Sequence, residues 1–157
     1  MNIIVFGGSG FLGSHISDHL SKGEHNVTIF DSQKPKYLNS KQTFIKGDIL
    51  DKDKVREVMR NNDIVYHLAA VADIKESIEN PYKTISLNII GTTNILEACK
   101  EFNIKRLIFS SSIYVYSEHG SFYRVTKQSC ELLIEEYSKN FNQDFTILRY
   151  GSLYGSR

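Results

Sequence analysis

The sequence predicts an α/β chain, a doubly wound parallel sheet with helices on both faces. Short apolar runs alternate with amphipathic segments along its whole length, which is the pattern of strands joined by crossover helices. The first run, Ile3-Ile4-Val5-Phe6, also passes through a glycine cluster directly into a helical pattern. The spacing predicts strands over 3–6, 27–30, 43–46, 64–68, 106–110 and 145–148. It predicts helices near 10–22, 51–60, 81–102 and 122–140.

Taken in order, the glycine cluster comes first. Gly8, Gly10 and Gly13 fit the dinucleotide fingerprint G-x-G-x-x-G, while Gly7, Gly10 and Gly13 fit the wider G-x-x-G-x-x-G spacing. One glycine permits the tight turn, one lets backbone amides approach a pyrophosphate, and one lets helix pack close on strand. The phosphates would then face unpaired amides at the positive end of the helix dipole. The second strand runs into Asp31, where a carboxylate can accept bonds from ribose hydroxyls and would repel a 2′-phosphate. NAD is therefore expected in preference to NADP.

The segment 31–42 carries Lys34, Pro35, Lys36 and Lys41 among Ser and Asn residues and reads as an exposed connection. The helix over 81–102 is apolar at Ile85, Ile89, Leu96 and Cys99 and also at Ile90 and Ile95, a band wider than one sheet-facing stripe. The helix over 122–140 carries Leu132, Leu133, Ile134 and Tyr137. Such surface predicts a second partner, and the two helices are expected to pair with their copies.

A chain of 157 residues fits one domain, and its 41% hydrophobic share is that of an ordinary globular protein. The net charge is +1 with Lys and Arg scattered, so neither nucleic acid nor a membrane surface is indicated as partner. No apolar run reaches the roughly 18 residues of a membrane span, and the N-terminus lacks the pattern of a signal peptide. Cys99 and Cys130 lie on separate predicted helices without metal-ligand spacing, as reduced core cysteines of a cytoplasmic protein would. His15 and His19 stand at i,i+4 but have no third ligand, so no metal is expected. His67 ends a strand in an apolar run and reads as a core histidine.

Two tyrosines have a lysine four residues later. Tyr37 and Lys41 fall in the polar connection, where no helix would hold them on one face. Tyr123 and Lys127 open a predicted helix and so stack on the same side. Just upstream, Ser110-Ser111-Ser112 lies at the carboxyl end of the fifth strand, where open α/β sheets bind ligands. A phenol of pKa about 10 becomes a usable base when an ammonium and a positively charged nicotinamide favour its ionised form. It can then take a proton from a substrate hydroxyl while hydride leaves the same carbon for the cofactor.

Several motifs occur together in one order: Gly7 to Gly13, Asp31, Gly47-Asp48-Ile49, His67-Leu68-Ala69-Ala70, Asn88 with Gly91-Thr92, Ser110-Ser111-Ser112 before Val115-Tyr116, Tyr123 with Lys127, and Leu148-Arg149-Tyr150. With them the chain resembles the N-terminal half of an extended short-chain dehydrogenase/reductase, in the UDP-glucose 4-epimerase branch of the NAD-dependent epimerase/dehydratase family. The resemblance implies a Rossmann-type domain over 1–157 that binds NAD. It places Gly7, Gly10, Phe11, Leu12 and Gly13 at the pyrophosphate, Asp31 at the ribose, and Asp48 and Ile49 at the adenine. It puts Leu68 and Ala69 beneath the cofactor, Asn88 as a brace or a cofactor contact, and Tyr150 near the nicotinamide. Ser112, Tyr123 and Lys127 become the catalytic set, the last two touching the cofactor as well.

The resemblance further implies a nucleotide-sugar substrate and a homodimer formed through a four-helix bundle. The chain departs from the family in the short stretch Ser117 to Phe122 and in Ser152-Leu153-Tyr154-Gly155-Ser156-Arg157, which has serine where the family has Asn and Pro. The family's sugar pocket comes largely from segments beyond this point, so a truncated chain without the substrate domain, inactive alone, is expected. A 4,6-dehydratase would need an Asp-Glu pair where this chain has Ile113 and Tyr114, which favours epimerisation at C4 through a 4-keto sugar. A non-catalytic NAD-binding module, or another reductase or dehydratase of the family, is the alternative.

Overall fold

Six strands form in the computed structural model, which describes residues 1–157: β1 (Asn2–Phe6), β2 (Asn26–Asp31), β3 (Gln42–Lys46), β4 (Ile64–His67), β5 (Arg106–Ser112) and β6 (Phe145–Tyr150). All pair in parallel in the order β3-β2-β1-β4-β5-β6. Helices α1 (Phe11–Lys22), α2 (Lys52–Met59), α3 (Ile74–Glu79), α4 (Pro81–Ile85), α5 (Gly91–Glu101) and α6 (Ser121–Phe141) complete it. A π-helical turn, Ser86–Ile90, joins α4 to α5, and a 3-10 turn, Ile113–Tyr116, follows β5.

Alternation along the strands divides the core between the two faces. Ile4, Phe6, Phe30, Val65, Leu107 and Phe109 pack with Val55 and Met59 of α2, Ile95, Leu96 and Cys99 of α5, and Cys130 and Ile134 of α6. The intervening Ile3, Val5, Val27 and Ile29 are equally buried. α1 packs on β1 and β2 with Gly13, Ser14, Ser17 and Ser21 inward, small side chains that let it lie close. No helix is long and apolar enough to cross a membrane.

Three local expectations change. β5 and β6 run two residues further than the apolar pattern, because Ser111 pairs in register with Arg149 and Ser112 with Tyr150. α3 forms where no helix was predicted, its start capped by the Asp73 side chain accepting from the Glu76 N–H. The helix over 81–102 buries not Ile85 and Ile90, which are exposed, but Thr84, Asn88 and Thr92 in its first half and Ile95, Leu96 and Cys99 in its second. Its inward face is polar where it meets the loop after β4 and apolar where it meets the sheet.

His67 lies at the junction of these halves, fully buried. The Thr92 hydroxyl donates to the Asn88 carbonyl oxygen at 2.5 Å, so His67 Nε2 must donate to Thr92 Oγ1 at 2.8 Å. His67 Nδ1 is buried without a partner. Burial, with the Lys127 charge adding to it, pushes the imidazole down to about 3. Below pH about 6.5 the unfolded chain therefore takes up a proton that the folded chain refuses, and stability falls as the pH drops towards 3, by about 1.4 kcal/mol per unit from this group. Denaturant midpoints between pH 7 and 4 should show a shallower acid slope for His67→Gln, which keeps the bond to Thr92.

Candidate active site

The chain leaves β1 for β2 on one side and reaches β4 on the other, so a crevice opens at the carboxyl ends of β1 and β4. The glycine turn fills its floor. Gly7 adopts the left-handed φ of +82°, and a Cβ on Gly13 would stand 2.1 Å from the Gly7 carbonyl oxygen. Both are required by the protein's own packing. Gly10 is different: a Cβ there would meet only the Gly7 oxygen, at 3.4 Å. Gly10 precedes α1, whose first turn has neither a side-chain cap nor an acidic residue. The first amides of α1 thus face the crevice past a residue whose missing side chain serves no neighbour, and a pyrophosphate fits that space.

Asp31 closes the turn from the side. One carboxylate oxygen accepts the Ser9 N–H at 3.0 Å and the other the Gln33 N–H at 2.9 Å, fixing it at the rim with lone pairs to spare. Gly7, Gly10, Asp31, Asp48, Ile49, Leu68 and Ala69 line one groove. A second groove, lined by Phe11, Leu12, Gly13, Ser112, Tyr123 and Tyr150, shares Gly7, Gly10 and Leu68 with the first. Together they form one trough from the end of β3 to the end of β6.

Lys127 stands behind the trough wall. Its Nζ donates to the Ser110 carbonyl oxygen at 2.7 Å and lies 4.6 Å from the Phe109 ring centroid and 5.8 Å from that of Tyr123. Burial pushes this amine down to about 8, against the opposing influence of Cys130 and Glu131. Burial also raises the Tyr123 phenol above its ordinary value, while the Ser112 hydroxyl acts in the lowering direction. Ser112 is fixed as well, its hydroxyl accepting the Tyr114 N–H at 3.2 Å. Hydroxyl, phenol and amine therefore converge at the end of β5.

Asn88 takes the bracing role of the two expected for it. Its Oδ1 accepts the Val71 N–H at 2.8 Å, and its Nδ2 donates to the Val71 carbonyl at 3.1 Å and to Thr126 Oγ1 at 2.9 Å. With both donors used inside the protein it braces the loop after β4 against α6. Tyr37, by contrast, lies in the exposed connection with the Arg157 guanidinium over its ring. Sequence reasoning assigned no role to Glu131, buried one helical turn beyond Lys127, which accepts from Ser111 and Arg149. The spacing 123, 127, 131 was the available signal.

The sequence pattern of the NAD dependent epimerase/dehydratase family matches residues 3–157. The chain belongs to this family. Its cofactor is NAD, which the free space at Gly10 and the first turn of α1 fit. A putative UDP-glucose 4-epimerase of Methanocaldococcus jannaschii is 34% identical over 99% of this chain and 57% of its own length. A UDP-N-acetyl-alpha-D-glucosaminuronate decarboxylase of Bacillus cytotoxicus is 33% identical over 98% of this chain and 55% of its own. The crystal structure of UDP-glucuronic acid 4-epimerase from Bacillus cereus, in complex with UDP-glucuronic acid and NAD, superposes with a TM-score of 0.89 at 34% identity, over 99% of this chain and 58% of that one. The chain thus spans little more than half the length of the family members it matches.

The glycine geometry separates cofactor binding from folding. Gly13→Ala should lower stability by about 2 kcal/mol or more, because backbone atoms on both sides block the methyl group. Gly10→Ala, at an extended φ of −74°, should leave the thermal midpoint unchanged or slightly raised and weaken NAD binding. Thermal unfolding paired with calorimetric NAD titration reads both effects.

Proposed function

We propose that this chain is the cofactor-binding and proton-transferring part of a nucleotide-sugar 4-epimerase that works in the cytoplasm. The observation that carries the reading is the meeting of Ser112 and Tyr123 on one wall of the trough, with the Lys127 amine directly behind that wall on the Ser110 carbonyl. NAD supplies a hydride acceptor that can also return what it accepts. Tyr123 takes the proton of the sugar C4 hydroxyl as that carbon is oxidised and gives it back on reduction. Ser112 holds the same oxygen, and Lys127 supplies the positive charge that favours the ionised phenol against its burial. Asp31 at the rim favours NAD over NADP. The free, buried cysteines suit a reducing compartment.

Ile113 and Tyr114 offer no carboxyl acid next to Ser112, which disfavours elimination. The decarboxylase among the relatives carries a second reading, since a ketone at C4 turns a neighbouring sugar carboxylate into a β-keto acid able to lose carbon dioxide. A panel of UDP- and dTDP-sugars that includes uronic acids distinguishes the two.

Positioning a reactant supplies several kcal/mol of barrier lowering, and this chain spans little more than half the length of its relatives. The 157-residue chain should bind NAD yet turn over little, while a polypeptide extended to the length of its relatives should epimerise. In that longer product Tyr123→Phe should cut the rate about 10²–10⁴-fold with NAD affinity largely kept. Normal epimerisation with Phe at 123 would remove Tyr123 from the mechanism.

The proposed assembly is a homodimer through a four-helix bundle made by the helix over 81–102 and α6. Tyr82, Ile85 and Ile90 on the first and Val125 and Leu132 on the second remain exposed, Leu132 at 63%. Leu132→Glu should shift the chain from dimer to monomer in light scattering, and a parent chain that stays monomeric at high concentration would refute the bundle.

A further inference from the structure

Tyr123, Lys127 and Glu131 follow one another at four-residue intervals on α6 and share a face. The proton transfer proposed above uses the first two and leaves Glu131 unexplained. Its carboxylate is buried where three elements meet. It accepts the Ser111 hydroxyl of β5 at 2.5 Å, Arg149 Nη2 of β6 at 2.7 Å, and Arg149 Nε at 3.0 and 3.2 Å. The far side of that guanidinium is held too, stacked 4.8 Å from the Tyr116 ring centroid and donating to the Tyr116 hydroxyl.

The sheet register gives this cluster its meaning. Ser111 stands opposite Arg149, and the next rung pairs Ser112 with Tyr150, two residues that line the trough. The two rungs are adjacent on the same pair of strands, so holding Ser111 and Arg149 through Glu131 fixes the register of the Ser112–Tyr150 rung beside them. A buried carboxylate is costly even when paired, and an apolar side chain would pack α6 on the sheet at less cost. What the apolar side chain cannot supply is a directional link from both strands to the helix that carries Tyr123.

We propose that Glu131 is the positioning residue of this site, locking the Ser112–Tyr150 rung to the helix of Tyr123 and Lys127 through Ser111 and Arg149. The inference rests on the reading of Ser112 and Tyr123 as the proton-transfer pair. It has a consequence for charge as well as for position. Burial pushes the Glu131 carboxyl up, and the bonds from Arg149 and Ser111 outweigh it, so the group is held below its ordinary value. Glu131 is then an anion one turn from Lys127, and with Cys130 it opposes the burial that drives the amine down. From the other elements His67 of β4 faces the same amine as a neutral group.

The test uses the 157-residue chain with 13C-labelled lysine side chains, following the Lys127 titration by NMR and NAD+ affinity by calorimetry from pH 6 to 10. Glu131→Gln keeps the size and the acceptor oxygen but removes the charge. It should lower the Lys127 midpoint by about one pH unit, the shift expected when one nearby opposite charge is lost. It should also weaken NAD+ binding about tenfold through the loosened rung. Glu131→Asp, which restores the charge, should bring the Lys127 midpoint most of the way back. A Glu131→Gln chain that loses thermal stability alone, with parental Lys127 midpoint and NAD+ affinity, would overturn the proposal and leave Glu131 a structural tie. If that variant does not fold, Arg149→Met is read instead: losing a positive charge should raise the Lys127 midpoint and weaken NAD+ binding, and parental values of both overturn the proposal. Neither readout needs sugar turnover, so a failure of the epimerase reading shows separately, as an extended polypeptide that does not epimerise while the Lys127 shift persists.

Discussion

At Gly13 the backbone of α1 meets the carbonyl of Gly7 with no room between them for even a methyl group, and the rest of the cofactor edge is built outward from this contact. Because the helix starts so near the end of β1, its first-turn amides open at the crevice and not against a neighbouring side chain. The backbone of Leu68 and Ala69 lies against Gly7 on one side, and Asp31 reaches back to the Ser9 amide on the other. The end of β4 and the end of β2 are therefore referenced to one turn. A looser turn would displace the Asp31 rim and the Leu68–Ala69 floor together.

The edge at the end of β5 obeys a different constraint. A lysine amine in the interior needs a partner for its charge, and no carboxylate bonds directly to Lys127. Its support comes from the Ser110 carbonyl, the faces of the Phe109 and Tyr123 rings, and Glu131 one turn away. These partners are weaker than an ion pair, and the bond to the Ser110 carbonyl ties the helix to β5. The Asn88 brace serves the same edge from behind, holding the loop after β4 to Thr126, the residue before Lys127.

Most of the trough was legible because its requirements are local. A glycine spacing, an acid at the end of the second strand and a Tyr-Lys pair opening a helix each state their chemistry within a few residues. What the sequence hid was side chains satisfied across elements. Ser111 and Ser112 look like loop residues until Glu131 and the Tyr114 amide are seen to take up their hydroxyls. Arg149 and Glu131 lie far apart in the chain, and nothing local pairs them. The helix over 81–102 misled for the same reason: Thr84 and Thr92 turn their hydroxyls to the carbonyls of Asn80 and Asn88 and so go inward without cost. Apolar periodicity does not register such residues.

The π-helical turn Ser86–Ile90 divides that helix. There the Gly91 N–H bonds to the Ser86 carbonyl, five residues back instead of four. One additional residue in a turn of 3.6 advances everything beyond it by about 100° of rotation. The helix consequently has two angular phases. In one, Asn88 is aimed at Val71 and Thr126; in the other, Ile95, Leu96 and Cys99 are aimed at the sheet. The dislocation stands where the partner of the inward face changes, from the polar brace at Val71 and Thr126 to the hydrophobic core under Ile95, Leu96 and Cys99.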